Sequence, residues 1–214
     1  QTSVTPVTEE ARQAARAGSV YDTLSELSAS GSTPTVRALA GKLLRLLGNT
    51  RIVIDDSLQH EGKPVAANYS PSKDQIGIHS AGITEENLLH EATHAATLRA
   101  LTMPESQLTP DQLAAKREIR ALFQALKNNG TLSEEYAGTN LVEFVSEVMS
   151  NKNLQAKLDT VKAGQRTFWQ RLKDAIKRLL GIHTPTGSED AAAVVERLFM
   201  PSAPLKEYAD TSTF

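Results

Sequence analysis

Residues 84–104 constrain this chain more than any other stretch, because they set the sequence His90-Glu91-Ala92-Thr93-His94 inside an uninterrupted helical pattern. Thr84 is a good N-cap, and Glu85 and Glu86 put negative charge in the first turn, where it complements the helix dipole. Leu88, Leu89, Ala92, Ala95, Ala96, Leu98 and Leu101 follow without a breaker until Pro104. A helix so rich in apolar and small residues is expected to be buried. At helical pitch His90 and His94 stand one turn apart on one face, so both imidazoles can hold one metal ion. Neutral imidazole suits Zn²⁺, and the adjacent carboxylate of Glu91 can accept the proton of an activated water. The alternative is a pair of incidental histidines on a core helix. The unbroken helix around them favours the metal.

Composition narrows the class. A chain of 214 residues can build one sizeable core, or one core with helical appendages. A formal charge of −2 and a pI near 6.2 argue against a general nucleic-acid binder. With no cysteine, disulfides, thiolate zinc sites and cysteine nucleophiles are excluded, although the compartment is not identified. No apolar run reaches the ~18 residues a membrane span needs. The chain begins at Gln1 with a Ser/Thr/Glu-rich stretch and no hydrophobic signal core, which reads as a piece cut from something longer.

Hydrophobic periodicity and breakers give a mostly helical plan with one small sheet. Helices are expected over 8–29 and 34–47, the second with Thr33 and Pro34 as N-cap and N1. Residues 51–55, 66–70 and 75–79 are candidate strands, with a Pro71-Ser72-Lys73-Asp74 turn between the last two. The last strand should feed into the histidine-bearing helix. Its 75–79 segment offers an edge against which an extended substrate could add. Thr109-Pro110-Asp111-Gln112 is a capping box opening a helix to about Lys127. Further helices are expected at about 140–150, 152–162, 166–180 and 188–199.

Two histidines leave a catalytic zinc one protein ligand short. The chain does not extend into a third spaced histidine, since Thr97 and Ala100 occupy the positions where the longer motif has Gly and His. Glu143 is the preferred third ligand. It stands with Glu147 at i, i+4 on one helix face among residues that otherwise look buried. Glu147 is then placed to accept the N–H of a ligand histidine and fix its tautomer. The alternative for both is a solvated acidic stripe. His183, in a Gly/Pro/Thr loop, and Glu134 and Glu135, in a turn-like stretch, are the rival ligands.

At these residues the chain resembles a gluzincin. The motif at His90–His94, followed by Glu143-x-x-x-Glu147, is similar to the thermolysin-type arrangement, except that Glu147 stands where those enzymes carry Asp. The likeness is closer to the zincin-like metallopeptidase domains of large polyvalent phage and mobile-element proteins. It rests on Ile76-Gly77-Ile78-His79, Leu89–Ala95, the Glu143–Asn151 stretch and Phe168-Trp169-Gln170-Arg171-Leu172, in order over residues 35–200. Only the metal motif in it is specific. The resemblance implies an α+β, mostly helical fold. Its zincin-like core would comprise a small β-sheet before the H-E-x-x-H helix, a second ligand-bearing helix, and added N- and C-terminal helices. The expected divisions are an N-terminal helical or flexible segment 1–32, the core 33–163, C-terminal helices 164–200 packing on it, and a flexible tail 201–214.

The reading is therefore a zinc endopeptidase holding one Zn²⁺ per chain on His90, His94 and Glu143, with Glu91 as base and Glu147 behind a histidine. Its partner is a protein or peptide substrate, its own precursor included. No specific nucleic acid and no transmembrane segment are expected. The chain should be soluble, either cytoplasmic or virion-associated and delivered into a host cytoplasm. The contrary reading is a catalytically silent zincin-fold module that binds or builds a virion or conjugation assembly. Two residues stand beside the core set. His79 is a candidate cleft residue, against a plain strand-end histidine. Tyr136 is a candidate oxyanion donor, against a buried tyrosine with a bonded hydroxyl. Residues 162–180 are basic and amphipathic; the ordinary reading is a packed apolar face with solvated charges, against a membrane or nucleic-acid helix.

Overall fold

The computed structural model describes residues 4–137, 139–182 and 189–201. The chain is α+β and mostly helical, and it gathers into two compact units. The first contains residues 4–96 and 189–198, and the second 97–182 and 199–201. The division falls inside the H-E-x-x-H helix. Residues 202–214, within the expected flexible tail, lie outside the described residues, as do His183 and the start of the helix expected from 188.

The first unit opens with two helices where the sequence suggested one. Helix α1 (Glu9–Arg16) ends before Gly18, whose φ of +86° is a left-handed conformation that a side chain would strain. The Gly18 carbonyl accepts the Ile52 N–H at 3.2 Å, which ties this break to the first strand. Ser19 then caps α2 (Val20–Ser30) by accepting the Asp22 N–H. Helix α3 (Pro34–Leu46) starts as its Thr-Pro signal predicts, with Thr33 accepting the Val36 N–H. Helices α1 and α2 pack together, α2 packs on α3, and α1 packs on β1 (Arg51–Ile54). Ala11, Ala15, Leu24 and Leu27 are buried, so the described part of segment 1–32 contributes to this core.

A short hairpin absent from the sequence reading comes next: β2 (Gln59–His60) and β3 (Lys63–Pro64) turn through Glu61 and Gly62, both at positive φ. Strands β4 (Ala67–Ser70) and β5 (Gln75–Ile78) fall where they were expected. The sheet order is β1-β5-β4, with β5 parallel to β1 and antiparallel to β4. This corrects the expected edge. β5 is the central strand, bonded on both sides, and cannot accept an added strand. Its Ile76, Gly77 and Ile78 are buried accordingly, and a Cβ on Gly77 would come within 2.8 Å of Leu58 and 2.7 Å of Asn68. The sheet's edges are β1 and β4.

From β5 the chain makes one 3₁₀ turn, Ser80–Gly82, and enters α4 (Glu85–Thr102). The entry is anchored from several sides. The Glu85 carboxylate, 4 % exposed, accepts the Ser32 N–H at 2.7 Å and the Ser32 hydroxyl at 2.5 Å. The Glu85 N–H donates to the Thr5 carbonyl, and the Thr5 N–H donates to the Glu86 carboxylate. Helix α10 (Glu189–Arg197) belongs to this unit and packs on α3.

The second unit is a helical cluster. Helix α5 (Pro110–Asn128) carries the Thr109/Gln112 capping box with both reciprocal bonds formed. After α6 (Glu134–Ala137) come α7 (Leu141–Ser150), α8 (Lys152–Thr160), a hairpin of β6 (Lys162–Ala163) and β7 (Arg166–Thr167), and α9 (Phe168–Leu179). Helix α9 buries Phe168, Trp169, Leu172, Ile176 and Leu179 and packs on α5 and α8. Phe123 stacks on Phe144 at 4.8 Å, joining α5 to α7. Arg171 and Arg178 both pair with Glu118 of α5. The basic amphipathic segment is thus a packed helix with charges at its margin, the ordinary reading of its pattern. Among the described residues no helix is long and apolar enough to cross a membrane.

Candidate metal centre

Helix α4 owes its position to its composition. Every residue from Asn87 to Leu98 is buried, and Arg99 is the first exposed side chain after Asn87. In this stretch Asn87, His90, Glu91, Thr93, His94 and Thr97 are buried along with Leu88, Leu89, Ala92, Ala95, Ala96 and Leu98, so its polar face is enclosed as fully as its apolar one. Polar residues on it must therefore find partners or a ligand. Asn87 donates from its amide to the Gly82 carbonyl at 2.8 Å, and Thr93 returns its hydroxyl to the Leu89 carbonyl at 2.7 Å.

His90, Glu91 and His94 form one buried cluster, 7 %, 1 % and 6 % exposed. A ligand atom from each lies within 4.8 Å of the others. Among the described residues this is the group that could hold a metal. The two imidazole rings sit 4.8 Å apart and tilted by 47°. Glu91 lies between them, with Oε1 4.0 Å from His90 Nε2 and Oε2 3.8 Å from His94 Nδ1. These separations exceed a hydrogen bond. The carboxylate is next to the histidines without being bonded through those atoms.

The donor set could hold a metal ion. His90 Nε2 is buried and makes no hydrogen bond among the described residues, a costly state for a ring nitrogen unless something else meets it. The other nitrogen of that ring, Nδ1, lies 3.3 Å from the carbonyl oxygen of Arg197. A carbonyl can only accept, so this contact requires the proton on Nδ1 and leaves the Nε2 lone pair for a metal. Sequence reasoning missed Arg197. A backbone carbonyl has no residue-type signature, and this one lies 107 positions from its partner.

The remaining predicted residues have these places. Glu143 is on α7 in the second unit and is exposed. It closes a capping box: its Oε2 accepts the Asn140 N–H at 3.1 Å, while its own N–H donates to Asn140 Oδ1 at 2.9 Å. The cluster of three above does not include it. Glu147, half-buried, accepts the Asn151 side-chain amide at 2.6 Å through Oε1. Tyr136 lies in α6, half-buried, and its carbonyl accepts from Thr139. Glu134 opens α6 and is exposed, whereas the Glu135 side chain and all of His183 fall outside the described residues.

His79 caps the 3₁₀ turn, its Nδ1 accepting the Ala81 N–H at 3.0 Å. Asp56 accepts the Ser80 N–H at 2.8 Å at the same turn. That backbone bond, helped by the Ser80 side chain and by nearby His79, holds the Asp56 carboxyl below the usual carboxylate range. The Asp55 carboxyl is lowered chiefly by the Ser57 hydroxyl and then by its N–H. Asp56 thus ties the loop after β1 to the turn that leads into α4, while Asp55 closes a local turn with Ser57.

Comparison of the chain with protein-family models, with curated proteins and with solved structures finds no match.

Proposed function

We propose that this chain is a zinc-dependent metallopeptidase, held by His90 and His94 with Glu143 as third protein ligand. The observation that carries the reading is the buried cluster on α4: two imidazoles one turn apart, a carboxylate beside both, and the His90 Nε2 that makes no hydrogen bond among the described residues. Zinc, when bound, would lower the pKa of water towards ~7 and polarise the peptide carbonyl. Glu91 takes the proton from the attacking water and returns it to the departing amine. Its burial at 1 % exposure suits that work, because a carboxylate shielded from bulk water keeps the proton for the leaving group. The β4 edge, rather than β5, is the strand an extended substrate would join.

The burial of all three cluster residues also supports a second reading. Structural zinc sites are closed, whereas catalytic ones keep a position open to water. A silent, metal-stabilised module of a larger phage or mobile-element assembly would have the same cluster. One experiment separates the two: cleavage of an unfolded protein substrate by the zinc-loaded chain, with and without chelator, beside the Glu91→Gln variant. Chelator-sensitive cleavage lost in Glu91→Gln supports the peptidase. Stoichiometric zinc with no cleavage of unfolded substrates supports the module.

A further inference from the structure

We propose that the backbone carbonyl of Arg197 is a positioning group for the metal centre, and that α10 is therefore part of that centre. The inference rests on the metal-site reading and deepens it. Its basis is the 3.3 Å contact between that carbonyl oxygen and His90 Nδ1, inside one compact unit. Nδ1 must carry the ring proton to make this contact, so the histidine is committed to the tautomer whose Nε2 lone pair is free. Among the described residues that same Nε2 is buried and makes no hydrogen bond. One ring thus has its outer nitrogen satisfied by the protein and its inner nitrogen kept for a ligand, which is how outer partners orient metal-binding histidines.

The carbonyl is well placed to hold this position. Arg197 is the last residue of α10, where helical carbonyls have no partner further along the helix. Val195 and Leu198 on either side are 1 % and 3 % exposed, and α10 packs on α3. The helix end is therefore fixed by buried apolar contacts and not by the histidine. Such an end also bears partial negative charge, which favours the N–H and the positive charge a metal induces on the ring. The alternative is a lid, with α10 blocking the site. A lid would cover the metal-facing nitrogen, whereas Arg197 meets the opposite one.

The test uses the whole chain with Leu198 replaced by its α-hydroxy acid. This converts the Arg197 carbonyl into an ester carbonyl, a weaker acceptor, and leaves every side chain intact. Nitrogen-15 NMR of the metal-free protein reads the His90 tautomer directly. Titration with Zn²⁺ alone reads affinity, and a melting curve checks folding. The expected result is a Nδ1–H tautomer at His90 in the parent, a mixture of tautomers in the ester, and zinc bound about tenfold more weakly. The ester also loses the Leu198 N–H bond to Val195, so an ester of Val195 serves as control for a lost helix N–H and should leave the tautomer unchanged. A parent with the proton on Nε2 overturns the proposal. An ester with the parent's tautomer and affinity also overturns it, as does one that binds zinc equally and cleaves faster, the behaviour of a lid. If the parent has the Nδ1–H tautomer and binds no zinc, the metallopeptidase reading fails, and the carbonyl's role in metal positioning falls with it. The tautomer measurement keeps these outcomes distinct.

Discussion

Asn140 and Glu143 cap one another: each side chain accepts the other residue's backbone N–H, at 2.9 Å and 3.1 Å. A glutamate at this position therefore has a structural use that needs no metal. Capping bonds of this kind contribute about 0.5–2 kcal/mol. Any loss of zinc in Glu143→Ala would confound ligation with fraying of α7.

Glu143→Gln resolves this. Glutamine serves in a capping box as glutamate does, accepting through its amide oxygen, but it is a poor zinc ligand. The expected outcome is an unchanged melting midpoint with most of the zinc lost, measured by elemental analysis after dialysis. Full zinc content in a stably folded Glu143→Gln would leave Glu143 as a cap and send the search to His183, Glu134 and Glu135.

Glu91→Gln tests the chemistry apart from the metal. Glutamine keeps the shape of a side chain that is 1 % exposed but cannot accept a proton. Zinc content and melting should hold while cleavage of any accepted substrate falls by about 10²–10⁴-fold. A variant that cleaves as fast as the parent would remove Glu91 from the mechanism.

Much of this architecture was legible because its causes are local. The capping box at Thr109/Gln112, the Thr33-Pro34 start of α3 and the acidic first turn of α4 each act over three or four residues. The H-E-x-x-H cluster is local in the same sense, since helical pitch alone brings His90 and His94 together. Features decided by distant partners were not legible. The 8–29 pattern reads as one helix, and the break at Gly18 follows from its bond to Ile52. Strand β5 reads as an edge until β1 is known to pair beside it in parallel. Asn140 and Glu143 have the spacing of a capping box, and that spacing is equally compatible with a ligand on the helix face. The Arg197 carbonyl had no signature at all.

Glu147 remains a candidate partner of a ligand histidine, and its contact with the Asn151 amide makes a competing prediction. Asn151 caps α8 by accepting the N–H groups of Asn153 and Leu154. If Glu147 chiefly orients that cap, Glu147→Ala should lower the melting midpoint and leave zinc affinity alone. If it supports a histidine, zinc should weaken by about 10–100-fold. Isothermal titration with Zn²⁺ beside a melting curve distinguishes the two.

Acidification should loosen the loop that leads into α4. Asp56 has its carboxyl lowered by the Ser80 N–H, so its folded pKa lies below its unfolded one. Stability from this bond is therefore complete above the unfolded carboxylate range and is lost as pH falls through the depressed folded value. Asp56→Asn should flatten the dependence of melting on pH in that acid window and change little near neutrality. An unaltered acid profile in the variant would show that the bond carries no stability.

Zinc should raise the melting temperature of the wild-type chain, because binding to a preformed buried site stabilises the folded state alone. At a free zinc concentration a hundredfold above Kd the gain is about 2.7 kcal/mol. For a chain of this size that corresponds to a rise of roughly 5–10 °C, reversed by chelator. The response should be largely lost in His94→Ala, which removes one of the two imidazoles of the cluster. Glu91→Gln should keep it under the proposed mechanism, in which Glu91 is the base and the histidines hold the metal. With two compact units the gain belongs to whichever transition includes α4, so tryptophan fluorescence from Trp169 and far-ultraviolet dichroism should be recorded together. A wild-type melt indifferent to both zinc and chelator in both signals would mean that the buried histidine pair does not hold this metal.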